Sequence, residues 1–142
     1  MPKTYSQVGP VARALELLGE RWTILVLQEL LRGYHRFNDL MDAVQGITSS
    51  VLSARLKVLE GHGVISRKFY TEHPPRADYH LTRKGHELGV VAGAMAVWAT
   101  RHFPDPSMFV HNVCGDPIDV AYFCRHCEHE VRGAEVELII PE

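Results

Sequence analysis

Short apolar stretches separated by glycines fill the first third of the chain, a pattern typical of packed helices. A first helix is predicted from Pro10, whose missing amide costs nothing in an opening turn, to Gly19. Its apolar stripe consists of Val11, Ala14, Leu15 and Leu18. A second helix, Trp22 to Leu31, is apolar around most of its circumference, so it should be the central core helix, with Trp22 as a core anchor rather than a ligand stacker.

Two further helices follow, joined by a Gln45-Gly46 turn. The first runs from Phe37 to Val44 and directs Phe37, Leu40, Met41 and Val44 inward. The second follows a cap at Thr48 or Ser49 and stops at Gly61 and Gly63. Two short helices around a glycine turn predict a helix-turn-helix.

The second of these helices, residues 48–60, carries a leucine stripe and an opposite polar face. Leu52, Leu56 and Leu59 recur at helical spacing and predict the buried side. Ser50, Ala54 and Lys57 lie roughly opposite, with Ser53 beside them. Small side chains let a backbone approach DNA, while serine and lysine reach bases and phosphates. By itself this pattern also fits an ordinary amphipathic helix with a solvated face.

A wing is predicted after the helix-turn-helix. Val64 to Thr71 and Ala77 to Leu81 have strand composition. Residues 72–76 between them contain two prolines and are predicted to form an irregular basic tip. Arg76 is placed to reach the adjacent minor groove or backbone, with His73 and Lys68 as weaker candidates. A solvated turn cation is the alternative for Arg76.

A long helix should begin at a Thr82 cap and run to about His102. Its apolar surface exceeds what one small core needs, because Val90, Val97 and Trp98 lie beside a face made by Leu88, Val91, Ala92, Met95 and Ala99. Surplus apolar helix surface predicts a partner helix. A twofold dimer would set two recognition helices about 34 Å apart, one turn of DNA.

Composition indicates a globular protein of 142 residues with 46% hydrophobic and 23% charged residues. The predicted fold class is mainly α with a small β-hairpin wing (α+β), with residues 1–103 as the DNA-binding and dimerisation domain and 104–142 as an appendage. Net charge is only -2, yet seven cations oppose three anions from Thr48 to Lys84, and two oppose eight from Pro104 to the end. A local basic block fits a small nucleic-acid footprint. The acidic appendage should face away from DNA.

All three cysteines lie in this appendage. His111-x2-Cys114 and Cys124-x2-Cys127 form two pairs whose spacing suits one tetrahedral zinc ion, with an alternating strand through Ile118, Val120 and Tyr122 between them. Such a metal would be structural, because four protein ligands leave no open position. A redox dithiol or buried thiols remain alternatives, His126 and His129 are spare ligands, and Glu128 stands where such turns often have glycine.

Other classes of protein find little support. The sequence shows no secretion-signal pattern, no apolar run of membrane-spanning length and no catalytic grouping with credible spacing, so a cytoplasmic non-enzyme is expected. A thiol-disulfide enzyme would need a strand-helix pattern around Cys124, which is absent. A protein-protein adaptor is a second hypothesis. Salt dependence distinguishes the two, because affinity for DNA through several phosphates falls steeply as salt rises. A small-molecule effector is compatible with the sequence, but no residue singles one out.

Five stretches in one order resemble the HxlR-type branch of the MarR-like winged-helix transcription regulators. They are residues 14–27 (ALELLGERWTILVL), 36–40 (RFNDL), 46–60 (GITSSVLSARLKVLE), 73–79 (HPPRADY) and 81–85 (LTRKG). The resemblance implies a homodimer on near-palindromic DNA, with the helix from Ser49 to Leu59 in the major groove. The residue pattern and the family resemblance together predict a DNA-contacting set of Arg36, Ser49, Ser50, Ser53, Arg55, Lys57 and Arg76.

One departure from the family matters. Redox-sensing members carry a cysteine shortly before the first helix, often followed by proline, whereas this chain has Val8-Gly9-Pro10. The resemblance therefore does not imply oxidant sensing through that position.

Overall fold

A computed structural model describes residues 4–141 and divides the chain into two compact units, Met1–Ala92 and Gly93–Glu142. The division falls inside the last long helix, whereas Pro104, the boundary suggested by composition, lies just beyond the end of that helix. None of the helices in the described part is long and apolar enough to cross a membrane. The elements in chain order are α1 Pro10–Leu18, α2 Thr23–Leu31, α3 Phe37–Ala43, α4 Ser49–Gly61, β1 Ile65–Glu72, β2 Pro75–Leu81, α5 Arg83–Glu87, α6 Gly89–His102, β3 Tyr122–Cys124, β4 His129–Val131 and a 3-10 turn Gly133–Glu135.

The first unit has the winged helix-turn-helix fold that the sequence predicts. Its core is built on α2, as expected, with Val26, Leu27 and Leu30 buried. Trp22 is partly buried against this core and anchors the start of α2. The predicted leucine stripe of α4 is completely buried, and Leu40, Val44, Ile47, Val64 and Ile65 close the same cluster.

The first helix buries a different side from the one predicted. Ala12 is its buried residue, and Leu17 and Leu18 pack partly on the core. Val11 is 64% exposed, Leu15 is 41% exposed and Ala14 is exposed as well, so three of the four members of the predicted inward stripe lie at the surface. Both helical faces of α1 are apolar, and only packing against the rest of the unit selects one of them.

The wing is more regular than the sequence indicated. Strands β1 and β2 pair in antiparallel register out to Glu72 and Pro75, which leaves only His73 and Pro74 as the tip. The prediction that Glu72, Pro75 and Arg76 are irregular is therefore wrong. Proline is tolerated at the first position of a strand, and the register shift between Phe69 and Thr71 accommodates the pairing of Thr71 with Arg76.

The predicted long helix is broken into α5 and α6. Thr82 caps α5 as expected, because its hydroxyl accepts from the Gly85 amide at 3.2 Å. The helix then tightens at Leu88, whose amide donates to the Gly85 carbonyl at 3.0 Å, and α6 restarts at Gly89. Apolar spacing continues across this break, which is why the sequence pattern did not predict it.

The second unit contains little regular structure beyond α6. Strands β3 and β4 form a short antiparallel hairpin, and Val110 pairs with Pro117 in an isolated bridge. The strand expected through Ile118, Val120 and Tyr122 is present only from Tyr122 to Cys124.

Candidate nucleic-acid interface

The polar face of α4 is presented to solvent by the leucine stripe behind it. Thr48 caps the helix, because its hydroxyl accepts from the Val51 amide at 3.3 Å. With the leucines buried, steps of about 100° per residue turn Ser50, Ala54 and Lys57 outward. All three are exposed, as is Ser49 in the first turn, while Ser53 is half-buried on the flank.

Arg55 lies on the opposite flank of α4. Its guanidinium Nε lies 3.7 Å from the Glu20 carboxylate, and both side chains are largely covered. The same carboxylate accepts from the Trp22 amide at 2.8 Å and from the Thr23 hydroxyl at 3.2 Å. Arg55, predicted from the sequence as a DNA contact, thus links α4 to the segment that precedes α2.

Arg36 and Arg76 line a common cleft between the start of α3 and the wing. The cleft has a volume of about 460 Å³ and contains a third arginine, Arg67, which the sequence analysis did not select. The remaining lining residues are Phe37, Asn38, Asp39, Phe69, Tyr70, Pro75, Ala77 and Tyr79. Three cations in one cleft make a site suited to anionic groups such as phosphates.

Contacts within this cleft hold two of the three arginines in place. The Arg36 guanidinium lies 4.8 Å from the centre of the Tyr70 ring, and its Nε is 3.6 Å from Asp78 Oδ1. Arg67 lies 5.0 Å from the centre of the Phe69 ring and 3.7 Å from the Glu60 carboxylate. Arg76 is exposed and forms no ion pair among residues 4–141. Stacking on aromatic rings limits the freedom of both guanidiniums, and the neighbouring carboxylates offset part of their charge.

The cleft is attached to the helix-turn-helix through the backbone of the α2–α3 loop. Arg36 and Asp78 form an isolated antiparallel bridge, and the Tyr79 amide donates to the His35 carbonyl at 2.7 Å. Burial raises the pKa of the Tyr79 hydroxyl; Arg67 opposes this rise and Glu60 adds to it. Tyr79 therefore stays neutral in the lining of the cleft.

The wing base is fastened to the start of α5. The Thr82 hydroxyl donates to the Gly63 carbonyl at 2.6 Å, and its amide donates to the Val64 carbonyl at 3.0 Å. A Cβ on Gly85 would lie 2.1 Å from the Val64 carbonyl oxygen, so only glycine fits there. This close approach sets the position of β1 relative to α5.

Comparison with known proteins decides the family. The family model of HxlR-like helix-turn-helix proteins matches residues 17–107. The chain belongs to the HxlR-like helix-turn-helix family. Its members are DNA-binding transcription regulators, so this chain is a regulator and not an enzyme.

Relatives of this HxlR-like chain extend the match. The HTH-type transcriptional regulator Rv3095 of Mycobacterium tuberculosis is 36% identical over 130 residues, covering 89% of this chain and 82% of that protein. A MarR-family regulator structure from Porphyromonas gingivalis has a TM-score of 0.64 at 30% identity, covering 71% of this chain and 99% of the other. The crystal structure of PA1607 has a TM-score of 0.79 at 24% identity, covering 94% and 96%, and supports the fold alone.

The predicted metal ligands of this HxlR-like protein are arranged as two separate pairs. His111 Nδ1 lies 3.2 Å from Cys114 Sγ. Hydrogen bonds from the amide and thiol of Cys127 and from the His126 amide lower the pKa of the Cys124 thiol. The hydrogen bond to Cys124 raises the pKa of the Cys127 thiol. Within residues 4–141 no three His, Cys, Asp or Glu side chains are close enough to share an ion. The four-ligand zinc site stays a prediction.

Proposed function

We propose that this protein is a homodimeric, sequence-specific transcription regulator that binds near-palindromic double-stranded DNA. Helix α4 would enter the major groove, and the wing would lie along the adjacent minor groove or backbone. The observation that carries the proposal is the exposed face of α4 beside a cleft with three arginines. Such a regulator works where its DNA is, which agrees with a cytoplasmic location.

The face of α4 suits close approach to base edges. Ser49, Ser50 and Ala54 are small and exposed, so the helix backbone can move deep into the groove. Lys57 supplies the positive charge on that face. Because the buried leucines hold the helix in place, the face is already formed before DNA arrives, and binding needs little reordering.

The arginine cleft supplies contacts with phosphates. Arg36 and Arg67 are held over aromatic rings, and Arg76 is available on β2. Phosphate contacts position a protein on DNA without reading its sequence. We therefore assign register to the cleft and to Lys57, and sequence discrimination to Ser49, Ser50 and Ser53. Arg55 contributes by holding α4 in position through Glu20.

Exposed apolar side chains on α6 support the dimer. Val91, Met95 and Trp98 recur at helical spacing and are 41%, 53% and 57% exposed. A row of this kind on one helix is the usual surface for a second amphipathic helix. Twofold pairing would place the two α4 helices about 34 Å apart, the length of one DNA turn.

The experiment is selection of binding sequences by purified protein from a random duplex pool. Affinity for the selected duplex is then measured at two salt concentrations. We expect a palindrome with half-sites one turn apart and an affinity that falls steeply as salt rises, because bound phosphates release counterions.

Two results would contradict the proposal. A folded dimer that enriches no sequence would favour a protein-protein adaptor. An enriched single half-site bound by a monomer would contradict the dimer while leaving the assignment of α4 intact. The Ser53→Glu variant tests the assignment of α4 directly. Its carboxylate should abolish selection without lowering the melting temperature.

A further inference from the structure

The arginine cleft between the start of α3 and the wing contains more than a phosphate contact needs. Its volume of about 460 Å³ lies within the range of about 300–1,000 Å³ that is usual for pockets of small ligands. Phe69 and Tyr70 line it and are 53% and 43% exposed. The backbone of a DNA duplex offers only phosphates and sugars to such a surface. Contact with duplex DNA therefore does not account for these two aromatic rings.

A bulge in β1 brings both rings to the cleft. Arg67 and Phe69 are two residues apart and line it together, as expected for one face of a strand. In a regular strand the next residue, Tyr70, would face the other side. The register shifts between Phe69 and Thr71, which leaves Tyr70 as the extra residue, and Tyr70 lines the same cleft. A bulge of this kind re-aims a side chain and is common beside functional sites.

The arginines of the cleft keep hydrogen-bond donors for an anion. Nε of Arg36 is 3.6 Å from Asp78 Oδ1, and Nε of Arg67 is 3.7 Å from the Glu60 carboxylate. Both distances exceed that of a hydrogen bond, so within the described chain these ion pairs offset charge without using the N–H groups. Arg76 adds a guanidinium that forms no ion pair among residues 4–141.

Guanidinium groups and aromatic rings in one cleft suit a nucleotide. The guanidiniums of Arg36 and Arg67 lie 4.8 Å and 5.0 Å from the centres of the Tyr70 and Phe69 rings, so each flat cation is held beside a flat ring. A nucleobase stacks on aromatic rings and on guanidinium planes alike. Phosphate oxygens accept two parallel hydrogen bonds from one guanidinium. A molecule with both a base and phosphates therefore matches the cleft better than phosphate alone.

We propose that the arginine cleft binds a free nucleoside diphosphate, with the base against Phe69 and Tyr70 and the phosphates on Arg76 and its neighbouring arginines. The lining holds three arginines and one carboxylate, Asp39, which favours an anionic ligand. The inference rests on the proposed function, because there the same arginines position the protein on DNA. A bound nucleotide would occupy these donors, so it would weaken operator binding and act as an effector.

The test measures binding of ADP, GDP and CDP to the full-length protein by isothermal titration calorimetry without DNA. We expect one nucleotide per chain, and weaker binding of the matching nucleoside and of pyrophosphate, each of which lacks one half of the ligand. Pyrophosphate that binds as tightly as the nucleotide would overturn the role of the rings. A nucleoside that binds as tightly would overturn the role of the arginines. A folded protein that binds none of the three nucleotides would overturn the inference altogether.

The Phe69→Leu variant separates the nucleotide from duplex DNA. Phe69 is half exposed, so leucine should leave the fold and the arginines in place. We expect nucleotide affinity to fall about tenfold, because stacking on the ring is lost, and operator affinity to stay unchanged. The matched control Tyr122→Leu removes an exposed aromatic ring that does not line the cleft and should change neither affinity. Equal nucleotide affinity of Phe69→Leu and the wild type would overturn the assignment of the base.

Competition with a labelled operator distinguishes this inference from the proposed function. The nucleotide should displace the operator from the wild type, and Phe69→Leu should need about tenfold more of it. Operator binding that persists at saturating nucleotide would overturn the role as effector. Nucleotide binding by a protein that selects no duplex would contradict the proposed function while supporting the nucleotide site.

Discussion

Arg55 and Lys57 are two residues apart in α4, yet their surroundings differ. Lys57 is exposed on the outward face, whereas Arg55 is half-buried and 3.7 Å from Glu20. Sequence composition counts both as cations of a basic block. Their positions around the helix decide which charge is available to DNA.

The two cations should therefore differ in salt-dependent binding. We expect Lys57→Ala to reduce the slope of log affinity against log salt by about 1, because one phosphate contact is lost. Arg55→Ala should leave the slope unchanged and lower the free energy of unfolding by about 1 kcal/mol or less. Fluorescence anisotropy across a salt series and thermal unfolding measure both effects. Equal slope changes in the two variants would refute the structural role of Arg55.

Position 85 requires glycine because a larger side chain would not fit there, and not because of its backbone conformation. We expect Gly85→Ala to lower the free energy of unfolding by about 1–3 kcal/mol, since the added methyl overlaps the Val64 carbonyl. The matched control is Gly61→Ala, where no atom lies within 4 Å of the added Cβ and the residue is helical. That variant should be neutral or more stable by up to about 1 kcal/mol. Urea unfolding distinguishes them, and similar stabilities would contradict the close contact of α5 with β1.

Glu128 gives a prediction of the opposite sign. Replacing it by glycine removes the strain of its positive φ and should stabilise the turn of residues 124–128 by up to about 1 kcal/mol. The amide of residue 128 donates to the Cys124 carbonyl at 2.8 Å, so its protection in hydrogen exchange, compared with the wild type, measures this local effect. Lower protection in Glu128→Gly would mean that the carboxylate itself stabilises the turn.

At the scale of elements, the wing depends on tertiary contacts. Its strands carry the expected residues, but the α2–α3 loop holds it through the Arg36–Asp78 bridge and the Tyr79 amide. The arginine cleft exists only because these elements meet. Arg67 joins the site for this reason, although nothing in its sequence context distinguishes it.

Arg76 provides the test of the wing. Arg76→Ala should weaken binding to every duplex to a similar extent, because a phosphate contact carries no sequence information. Arg13→Ala, which removes an exposed cation from α1, serves as the control and should have little effect. Competition binding with the selected operator and a scrambled duplex measures both. Unchanged affinity of the Arg76 variant for all duplexes at moderate salt would exclude the wing from the interface.

At the scale of the whole molecule, the proposed dimer would form through the exposed apolar row of α6, Val91, Met95 and Trp98. We expect Met95→Glu to shift the dimer to monomer, because a carboxylate would be buried between apolar side chains. The control Ala134→Glu adds the same charge at an exposed position of the 3-10 turn. Sedimentation velocity of both variants gives the mass. A Met95→Glu variant that remains a dimer would assign the interface to another surface, such as the exposed Val11 and Leu15 of α1.

The sequence by itself determined the helices α1 to α4, a hydroxyl cap at Thr48 or Ser49, the core position of α2 and the family. These depend on local spacing of apolar residues, capping hydroxyls and glycines, which act within a few turns of one helix. The tertiary structure alone decided which face of α1 is buried, where the long helix breaks, and that Pro75 and Arg76 belong to a strand. It also paired Arg55 with Glu20 and brought Arg36, Arg67 and Arg76 into one cleft. Those outcomes depend on contacts between residues distant in the chain, whose energies no local pattern contains.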